Sequence, residues 1–537
     1  MGVLSEKKPR SLWLTIGAGK AFKLTTLSLL SIAFQVANAT TTKKTEFHET
    51  LSYVQKVAKG KVTDEKGVPI PGVNVIIKGT STGVQTDMDG NFAIEVPNSN
   101  SILIFSFLGM QEQEIPVGNG TIKIVMKEAG EQMDEVVVVG YSKIKKESLT
   151  GSLQTLNNKK LLDVTTPTVE NLLAGKANGV FVSTSNGQPG SPSKIVIRGR
   201  GTVNGSTDPL WVVDGVIVGS SSPSMNPADI ETLTVLKDAA STAIYGSQGA
   251  NGVIVVTTKS GKAGKAVINF SAKTAMSTLN SGNFEVMNGS ELYDLYNSLP
   301  NKQVFQNAWW WNPELKNKNY DWWDNGTRTG VAKEYNLSVS GGSENFKSYV
   351  SVGVYDETGA VKGFEYKKYN GLMKFEYKPN SWFTIRPQVN LTREKTDNKQ
   401  HSVGALYRNL PWDSPYLPDG TLVGNAPNPT WVNTTGSNYL YDLQWNFSES
   451  EDYNVRSNLD FDIKFTSWLT FSSVNNYIFG NGNSTSYSDP RSSSGLAVQG
   501  RISDYFSTFN RIYTNQLLKF NKSFGKHDIN AVAGYEW

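Results

Sequence analysis

Few residues in this chain have the type and spacing that covalent or metal chemistry requires. The 537 residues include no cysteine, which excludes disulfides, thiolate chemistry and cysteine-ligated metals. The three histidines, His48, His401 and His527, are far apart in the sequence and have no ligand-like spacing. The sequence therefore predicts no enzyme activity, no cofactor and no metal site.

Two short patterns resemble ligand-binding loops only in part. Asp87 and Asp89 are spaced as in a calcium loop, but Phe92 stands where the EF-hand pattern requires glycine. We predict a hairpin turn there instead. Gly199-Arg-Gly201 resembles the start of a nucleotide-binding loop, but its third glycine comes one residue late and no helix follows.

Four consecutive valines have the clearest potential for binding a partner. β-Branched residues favour an extended backbone, and an unpaired strand has N–H and C=O groups on both edges that could extend another protein's sheet. The alternative is an ordinary buried strand of a neighbouring domain. The segment consists of Asp134, Glu135, Val136, Val137, Val138, Val139, Gly140 and Tyr141.

The N-terminus has the pattern of an export signal. Lys20 and Lys23 precede a moderately apolar run, and Ala37-Asn-Ala39 supplies a cleavage site, so we predict a signal peptide over 1–39 and a linker over 40–58. No later stretch has about 18 uninterrupted apolar residues, so the chain can cross a membrane only as a β-barrel. The formal net charge of +4 gives no reason to expect nucleic acid as a partner.

Residues 59–128 predict a small β-sandwich of short strands separated by turn residues. This unit resembles the carboxypeptidase-regulatory-like domain, through Gly60-Lys-Val-Thr-Asp64, Pro71-Gly-Val-Asn-Val75, Lys78-Gly-Thr80 and Thr86–Phe92. The resemblance implies a sandwich without catalysis of its own. A linker over 129–149 contains the valine segment.

Residues 150–262 predict a mixed unit of short helices and strands. Several motifs in one frame resemble the plug of TonB-dependent outer-membrane transporters, and with the front domain they resemble the SusC-like branch. The motif residues are Arg198, Gly199, Asp214, Gly215, Asn226, Pro227, Asp229, Tyr245 and Gly246. We interpret Arg198 and Arg200 as structural, paired with carboxylates of a surrounding barrel.

Residues 263–537 alternate apolar and polar positions, and their connections alternate between short and long. This rhythm is typical of a membrane barrel with short periplasmic turns and long external loops. We count about nine strands, and place Trp382 and Trp468 in an inner aromatic girdle. The fold class is therefore mainly β: a sandwich, an α+β plug and part of an antiparallel barrel. The family's barrel has about 22 strands, so we expect a longer natural protein.

The resemblance implies an importer of nutrients, with an oligosaccharide as the expected substrate and a peptide as the alternative. It places the protein in the outer membrane of a Gram-negative bacterium, with its N-terminal domains in the periplasm. It assigns residues 134–141 to the TonB box. The implied partners are TonB with its inner-membrane motor complex, a SusD-like surface lipoprotein lid, outer-membrane lipid and a small nutrient. A secreted or surface β-rich adhesin is the alternative function.

Tryptophans concentrate in the first long loop of the third unit. Aromatic faces can stack on sugar rings, so these residues could contact a substrate or a lid. The alternative is that they pack within the loop itself. They are Trp309, Trp310, Trp311, Trp322 and Trp323.

Overall fold

The computed structural model describes residues 56–127, 136–139, 142–145 and 153–537, except for short gaps at 66, 81, 99–100, 108–109, 111, 119, 162, 185, 400–402, 425–430, 434–435 and 526. The predicted signal peptide and four residues of the valine segment (Asp134, Glu135, Gly140 and Tyr141) lie outside the described residues. The chain divides into two compact units at residues 133–134.

The first unit is a β-sandwich, which confirms its predicted architecture. One sheet has the strand order β4-β1-β7 and the other β3-β2-β5-β6. Their inner faces share one apolar core that includes Val62, Phe92 and Phe105. The strands are β1 Lys56–Thr63, β2 Asn74–Ile77, β3 Gly83–Gln85, β4 Asn91–Val96, β5 Ile102–Ser106, β6 Gln113–Pro116 and β7 Ile122–Val125.

Asp87 closes a hairpin turn in this sandwich. Its carboxylate Oδ1 accepts hydrogen bonds from the backbone N–H groups of Asp89 and Asn91, at 3.0 and 2.7 Å. These bonds hold the pKa of the Asp87 carboxyl below its ordinary value. The predicted turn is confirmed. Among the residues that the structure describes, no group of three metal-binding side chains is close enough to hold an ion.

The second unit begins with a short hairpin of two antiparallel strands, β8 Val136–Val139 and β9 Ser142–Lys145. An inner domain follows, built on a five-stranded sheet of order β10-β15-β16-β13-β14, with β11 and β12 paired separately. Its strands are β10 Leu153–Asn157, β11 Val180–Thr184, β12 Ser193–Ile197, β13 Leu210–Val213, β14 Val216–Gly219, β15 Ile230–Leu236 and β16 Val253–Thr258.

Both faces of the five-stranded sheet are buried at its central strands β13 and β16, which consist mainly of apolar residues. Trp211 and Val213 lie in the core on one face. Leu210 and Val212 lie in the core on the other face, which includes Tyr513 from outside the inner domain. The helices of the inner domain are α1 Asn158–Leu161 and α2 Ala239–Thr242, with 3₁₀ turns at Glu170–Leu173, Pro227–Asp229 and Ala243–Gly249.

The remaining strands form one antiparallel sheet of nine strands in sequence order, here called the wall. Each strand pairs with the next along the chain, as predicted for part of a barrel. The strands are β17 Gly264–Ser277, β18 Gly330–Gly342, β19 Phe346–Thr358, β20 Phe364–Asn380, β21 Phe383–Asn398, β22 Phe447–Lys464, β23 Leu469–Ser488, β24 Arg501–Phe524 and β25 His527–Glu536.

The wall has one polar and one apolar face, as the alternating pattern predicted. On β18, Tyr335, Leu337 and Val339 are exposed, whereas Glu334 on the opposite face is buried. Short turns and long loops alternate between the strands. The loops contain α3 Gly289–Ser298, α4 Lys302–Gln306, α5 Trp322–Gly326, α6 Val403–Arg408 and α7 Tyr439–Asp442, with 3₁₀ turns at Pro313–Asn317 and Leu496–Val498. No helix in the described part of the chain is long and apolar enough to cross a bilayer.

Candidate functional site: the inner domain against the wall

A two-residue turn carries the most highly connected motif residue, Asp214. Asp214 and Gly215 join β13 to β14, with φ angles of 49° and 87°. An Asp-Gly pair suits this turn, because asparagine and aspartate tolerate a positive φ better than other residues with a side chain, and glycine has no Cβ to clash. The turn directs the Asp214 carboxylate toward the wall.

The Asp214 carboxylate links the inner domain to two wall strands. Its Oδ1 accepts from the Thr258 backbone N–H at 2.9 Å, and its Oδ2 accepts from the Thr258 hydroxyl at 2.6 Å. Lys374 Nζ on β20 lies 3.2 Å from Oδ1, and Gln388 Nε2 on β21 donates to Oδ2 over 3.0 Å. Lys374 also donates to the Thr258 hydroxyl over 2.9 Å. We call these four residues the latch.

The latch keeps the Asp214 carboxylate ionised although it is buried. Burial by itself would raise the pKa of this carboxyl, but the Lys374 ammonium and the hydrogen bonds from Thr258 and Gln388 outweigh it. The pKa of Asp214 therefore lies below its ordinary value. The buried guanidinium of Arg456 on β22 adds a favourable electrostatic interaction with the same carboxylate.

Asp229 makes a second contact with the wall and has the opposite electrostatic behaviour. Its Oδ1 accepts from the Tyr349 hydroxyl at 2.9 Å and the Ser351 hydroxyl at 2.6 Å, both on β19. Its Oδ2 is buried and has no hydrogen-bond partner among the described residues. Burial raises the pKa of Asp229 above its ordinary value, although the two hydroxyls oppose the rise. The sequence analysis identified Asp229 as a motif residue but did not predict its contact with the wall.

Asn226 caps a helical turn and contacts the wall at the same time. Its Oδ1 accepts from the Ala228 backbone N–H over 3.0 Å, with Pro227 at the first helical position, as predicted. Its Nδ2 donates to Asn336 Oδ1 on β18 over 2.8 Å. A Cβ added to Gly353 on β19 would lie 2.4 Å from the same Nδ2, so a larger residue at that wall position would push the Asn226 side chain aside.

A third contact joins the inner domain to β20 and β21. Ser224 Oγ donates to Glu394 Oε1 over 2.6 Å, and Lys368 Nζ lies 3.2 Å from the same carboxylate oxygen. Lys368 also donates to the Pro167 carbonyl over 3.0 Å. Lys368 is buried, and here its charge is matched by a carboxylate and a carbonyl.

Arg198 pairs inside the inner domain, which corrects the expectation of a carboxylate on the wall. Its guanidinium forms a salt bridge with Asp238, and its backbone N–H donates to the Gly179 carbonyl over 2.9 Å. Arg198 and Gly199 both have positive φ angles, 58° and 90°, so they form a turn after β12. Arg200 is exposed.

The last two motif residues are structural. Tyr245 is buried in the apolar cluster that contains Val253 and Tyr513. Gly246 has φ 58° and ψ −146°, which breaks the 3₁₀ turn between residues 243 and 249. Both residues therefore shape the face of the inner domain that packs on the wall.

The valine segment forms a strand that is paired along one edge. Val136 pairs with Lys145 and Val139 with Ser142, in an antiparallel hairpin. The expectation of two free edges is therefore wrong at one edge. Among the described strands, β8 pairs only with β9 and belongs to neither sheet of the sandwich.

Most of the loop tryptophans pack against aromatic side chains of their own loop or of the loop between β21 and β22. Trp322 is buried against Trp431 and Tyr439, and its indole N–H donates to the Leu410 carbonyl over 3.1 Å. Trp311 stacks on Tyr293 with ring centroids 4.5 Å apart, and Trp310 contacts Trp311.

The other two loop tryptophans differ in exposure. Trp323 is half-buried, with its ring centroid 5.1 Å from that of Tyr407. Trp309 is 67% exposed.

The sequence analysis missed the wall residues that meet the motif residues. They share one signal, which is a polar or charged side chain on the inward-facing positions of a predicted barrel strand. They are Asn336, Tyr349, Ser351, Lys368, Lys374, Gln388, Glu394 and Arg456. Single residues of this kind could not be matched to plug residues more than 100 positions away.

An antiparallel wall packed around a folded inner domain defines a barrel-and-plug protein. Comparison with known families gives the same result. Residues 58–138 match the CarboxypepD_reg-like domain, and residues 145–253 match the TonB-dependent Receptor Plug Domain. The first match extends through Val138, farther than the sandwich strands described above.

Curated relatives cover most of the chain. It is 33% identical over 503 residues to "TonB-dependent receptor P3" of Formosa agariphila, a match that covers 90% of this chain and 48% of that protein. It is 31% identical over 520 residues to "TonB-dependent receptor SusC" of Bacteroides thetaiotaomicron, covering 90% of this chain and 50% of the relative. The domains and relatives together place this chain among the SusC-like TonB-dependent receptors. It spans about half the length of these relatives.

Solved structures share the fold. The RagAB peptide importer in its "open-open" state superposes with a TM-score of 0.65 at 23% identity, covering 75% of this chain and 48% of that one. The "closed-closed" state gives a TM-score of 0.63 at 22% identity, covering 72% and 47%. At 22–23% sequence identity, these superpositions show a shared fold, in which an inner domain packs against an antiparallel wall.

Proposed function

We propose that the protein is an outer-membrane active transporter that imports a nutrient by moving the inner domain within the wall. The curated relatives are named TonB-dependent receptors, and the solved neighbour is named a peptide importer. The match to a receptor plug gives a reason to prefer transport to adhesion, because an adhesin needs no folded domain inside its strands.

The observation that carries the proposal is the set of polar contacts between the inner domain and the wall, which stand beside one apolar contact where Tyr513 packs on the inner sheet. The latch, the Asp229 hydroxyl contacts and the Ser224–Glu394 bond are hydrogen bonds or ion pairs. Water can replace such partners when the two surfaces separate, and each bond contributes only about 1 kcal/mol net. An inner domain held in this way can be displaced without unfolding an extended apolar core.

The displacement needs an energy source, because the outer membrane has no ATP. We propose that TonB, driven by its inner-membrane motor complex, binds residues 134–141 from the periplasmic side. Strand addition would form about four to six backbone hydrogen bonds, each worth about 1 kcal/mol net, and ordering costs reduce the sum. Binding of TonB to this segment would therefore be weak and reversible, which suits repeated cycles of binding and pulling.

The remaining partners follow from the same proposal. The long loops face the outside, where a SusD-like lipoprotein covers them and delivers an oligosaccharide, with a peptide as the alternative substrate. The apolar outer face of the wall contacts outer-membrane lipid, and Trp382 and Trp468 anchor its periplasmic rim. No nucleic acid takes part.

Deletion of residues 134–141 tests this function in cells that express the natural gene. We expect uptake to be lost, while expression in the outer membrane and ligand binding at the surface stay unchanged. Val138→Pro should have the same effect because it removes a backbone donor, and Val138→Thr is the control because threonine keeps the extended preference. Normal uptake after the deletion would show that TonB does not act through this segment.

A further inference from the structure

Two loops on the long-loop side of the wall enclose a cleft that the contacts described above do not use. One loop connects β17 to β18 and the other connects β21 to β22. The cleft has about 360 Å³ of free space, within the range of about 300–1,000 Å³ that is typical of small-ligand sites. Its walls are aromatic and its rim is polar.

Three aromatic side chains form one continuous surface in the cleft. Tyr407 lies between the other two, with its ring centroid 4.6 Å from that of Phe284 and 5.1 Å from that of Trp323. Phe284 is 58% exposed, although it is one of the largest apolar side chains of its loop. An exposed aromatic surface of this kind can cover the apolar C–H face of a ring ligand.

Two polar side chains on the rim each use one side-chain atom in a hydrogen bond to the backbone and leave the other atom available to a ligand. Asp321 Oδ1 accepts from the Asp324 backbone N–H over 2.9 Å, and Asn319 Oδ1 accepts from the Gly289 backbone N–H over 3.3 Å. Among the described residues, Asp321 Oδ2 and Asn319 Nδ2 have no hydrogen-bond partner. The side chains are thus fixed in place, with one acceptor and one donor available to a ligand.

The charge of the cleft restricts the ligand further. Glu285 and Asp321 line it, and none of the described residues that line it is a lysine or arginine. An anionic ligand would be repelled at this rim. A peptide that binds as an added strand would need a free strand edge, and the described lining of the cleft includes no strand.

We propose that this cleft binds a neutral oligosaccharide. One sugar ring stacks on Phe284, Tyr407 and Trp323, and neighbouring hydroxyls donate to Asp321 Oδ2 and accept from Asn319 Nδ2. The inference rests on the proposed function for its outward orientation. The binding chemistry is independent of TonB and of transport.

Binding measured on the purified protein in detergent tests the cleft. The neutral probes are linear hexasaccharides of α-1,4-glucose, β-1,4-glucose, β-1,3-glucose and β-1,4-xylose. The acidic probe is hexagalacturonate, and the peptide probe is hexaalanine. We expect at least one neutral probe to bind, with an affinity above that for the acidic and peptide probes.

Phe284→Ala should weaken binding of that neutral probe by about tenfold or more, because it removes part of the stacking surface. Trp309→Ala is the matched control: Trp309 is also exposed and belongs to the same loop, but it lies outside the cleft. It should change the affinity by less than about twofold. Phe284 is exposed, so its truncation should leave folding intact.

Asp321→Asn supplies a second variant that keeps the fold. Asparagine also caps helices, so α5 should still begin at the same residue. Loss of the charged acceptor should weaken neutral-sugar binding by about threefold to tenfold. Preference for the acidic or peptide probe, no binding of any neutral probe, or equal affinities of Phe284→Ala and Trp309→Ala would overturn the proposal.

The two proposals can fail separately. If sugar binds at the cleft but deletion of residues 134–141 leaves uptake unchanged, only the proposed function is contradicted. Uptake that depends on 134–141 combined with no effect of Phe284→Ala on binding would contradict the cleft alone.

Discussion

The two aspartates that join the inner domain to the wall differ in their electrostatic balance. Asp214 has a lysine within 3.2 Å and keeps its negative charge, whereas Asp229 is buried among hydroxyls and favours protonation. The structure therefore favours the charged form of the Asp214 carboxyl and disfavours the charged form of the Asp229 carboxyl. This difference gives two predictions at the scale of single residues.

Asp214→Asn should destabilise the packing of the inner domain on the wall by about 3 kcal/mol, because it leaves the Lys374 side chain, which is only 18% exposed, without its counter-charge. Asparagine also tolerates a positive φ, so the β13–β14 turn should be kept and the effect should come from the charge. Thermal unfolding in detergent and protease digestion measure the loss.

Asp356→Asn provides the control for that prediction. Its partner, Lys367, lies 3.8 Å away, and both side chains are exposed, so this ion pair should contribute at most about 1 kcal/mol. Equal destabilisation by the two variants would contradict a special role for the latch.

Asp229→Asn should remove a pH dependence and be at least as stable as the parent at neutral pH. The folded pKa of Asp229 is raised, so its carboxyl favours folding fully below the unfolded value of 3.8. That contribution is lost as pH rises through the folded pKa. Asparagine keeps an acceptor for Tyr349 and Ser351. The difference in melting temperature between variant and parent should therefore be larger at pH 7 than at pH 4, and equal differences would count against this account.

At the scale of elements, strand β19 of the wall lies very close to Asn226, which caps the 3₁₀ turn at Pro227–Asp229 of the inner domain. Gly353 lies on β19, where a Cβ would lie 2.4 Å from Asn226 Nδ2 and 2.7 Å from Asn336 Oδ1. The close approach lets Asn226 bond to the wall while it caps the turn. The glycine is thus part of the contact although it has no side chain.

Gly353→Ala should destabilise the assembly by about 1–3 kcal/mol, because the methyl group pushes Asn226 from its position. Gly371→Ala is the matched control on the neighbouring strand β20, where the nearest atoms lie 4.0 Å from the added Cβ. Chemical unfolding of both variants measures the difference. A Gly353→Ala protein as stable as Gly371→Ala would show that the approach is looser than described.

The β8–β9 hairpin changes how a partner strand could reach the valines. Four residue pairs already occupy one edge of β8, from Val136–Lys145 to Val139–Ser142. A strand from TonB could add to the other edge, or displace β9 from the first. Both routes use only the backbone of the strand.

For the whole molecule, periodic features were predictable from sequence and long-range contacts were not. Alternation on strands such as β18 and the turn residues around them predicted about nine wall strands, and the described wall has nine. The wall residues that contact Asp214 and Asp229 lie more than 100 residues away, and no local pattern connects them. Asp214 and Gly215 have the composition of a two-residue hairpin turn, but the sequence analysis identified them only as motif residues.

The wall is taller than a bilayer requires on one side. A membrane strand needs about 9–11 residues, whereas β23 has 20 and β24 has 24. In the proposed orientation, the long-loop ends of these strands stand well outside the hydrocarbon layer. A large ligand could therefore be bound above the lipid head groups.

The strand order of the inner sheet also determines how a mechanical load would act. A force transmitted from the β8–β9 hairpin enters at residue 153, the first residue of β10, which is an edge strand. The β13–β14 turn that carries Asp214 lies at the opposite edge. Peeling β10 from β15 would break its few backbone pairs in succession, without first loading the ion pair to Lys374. Traction would thus unzip one border of the sheet and open a passage there, while the other border stays anchored and guides the return.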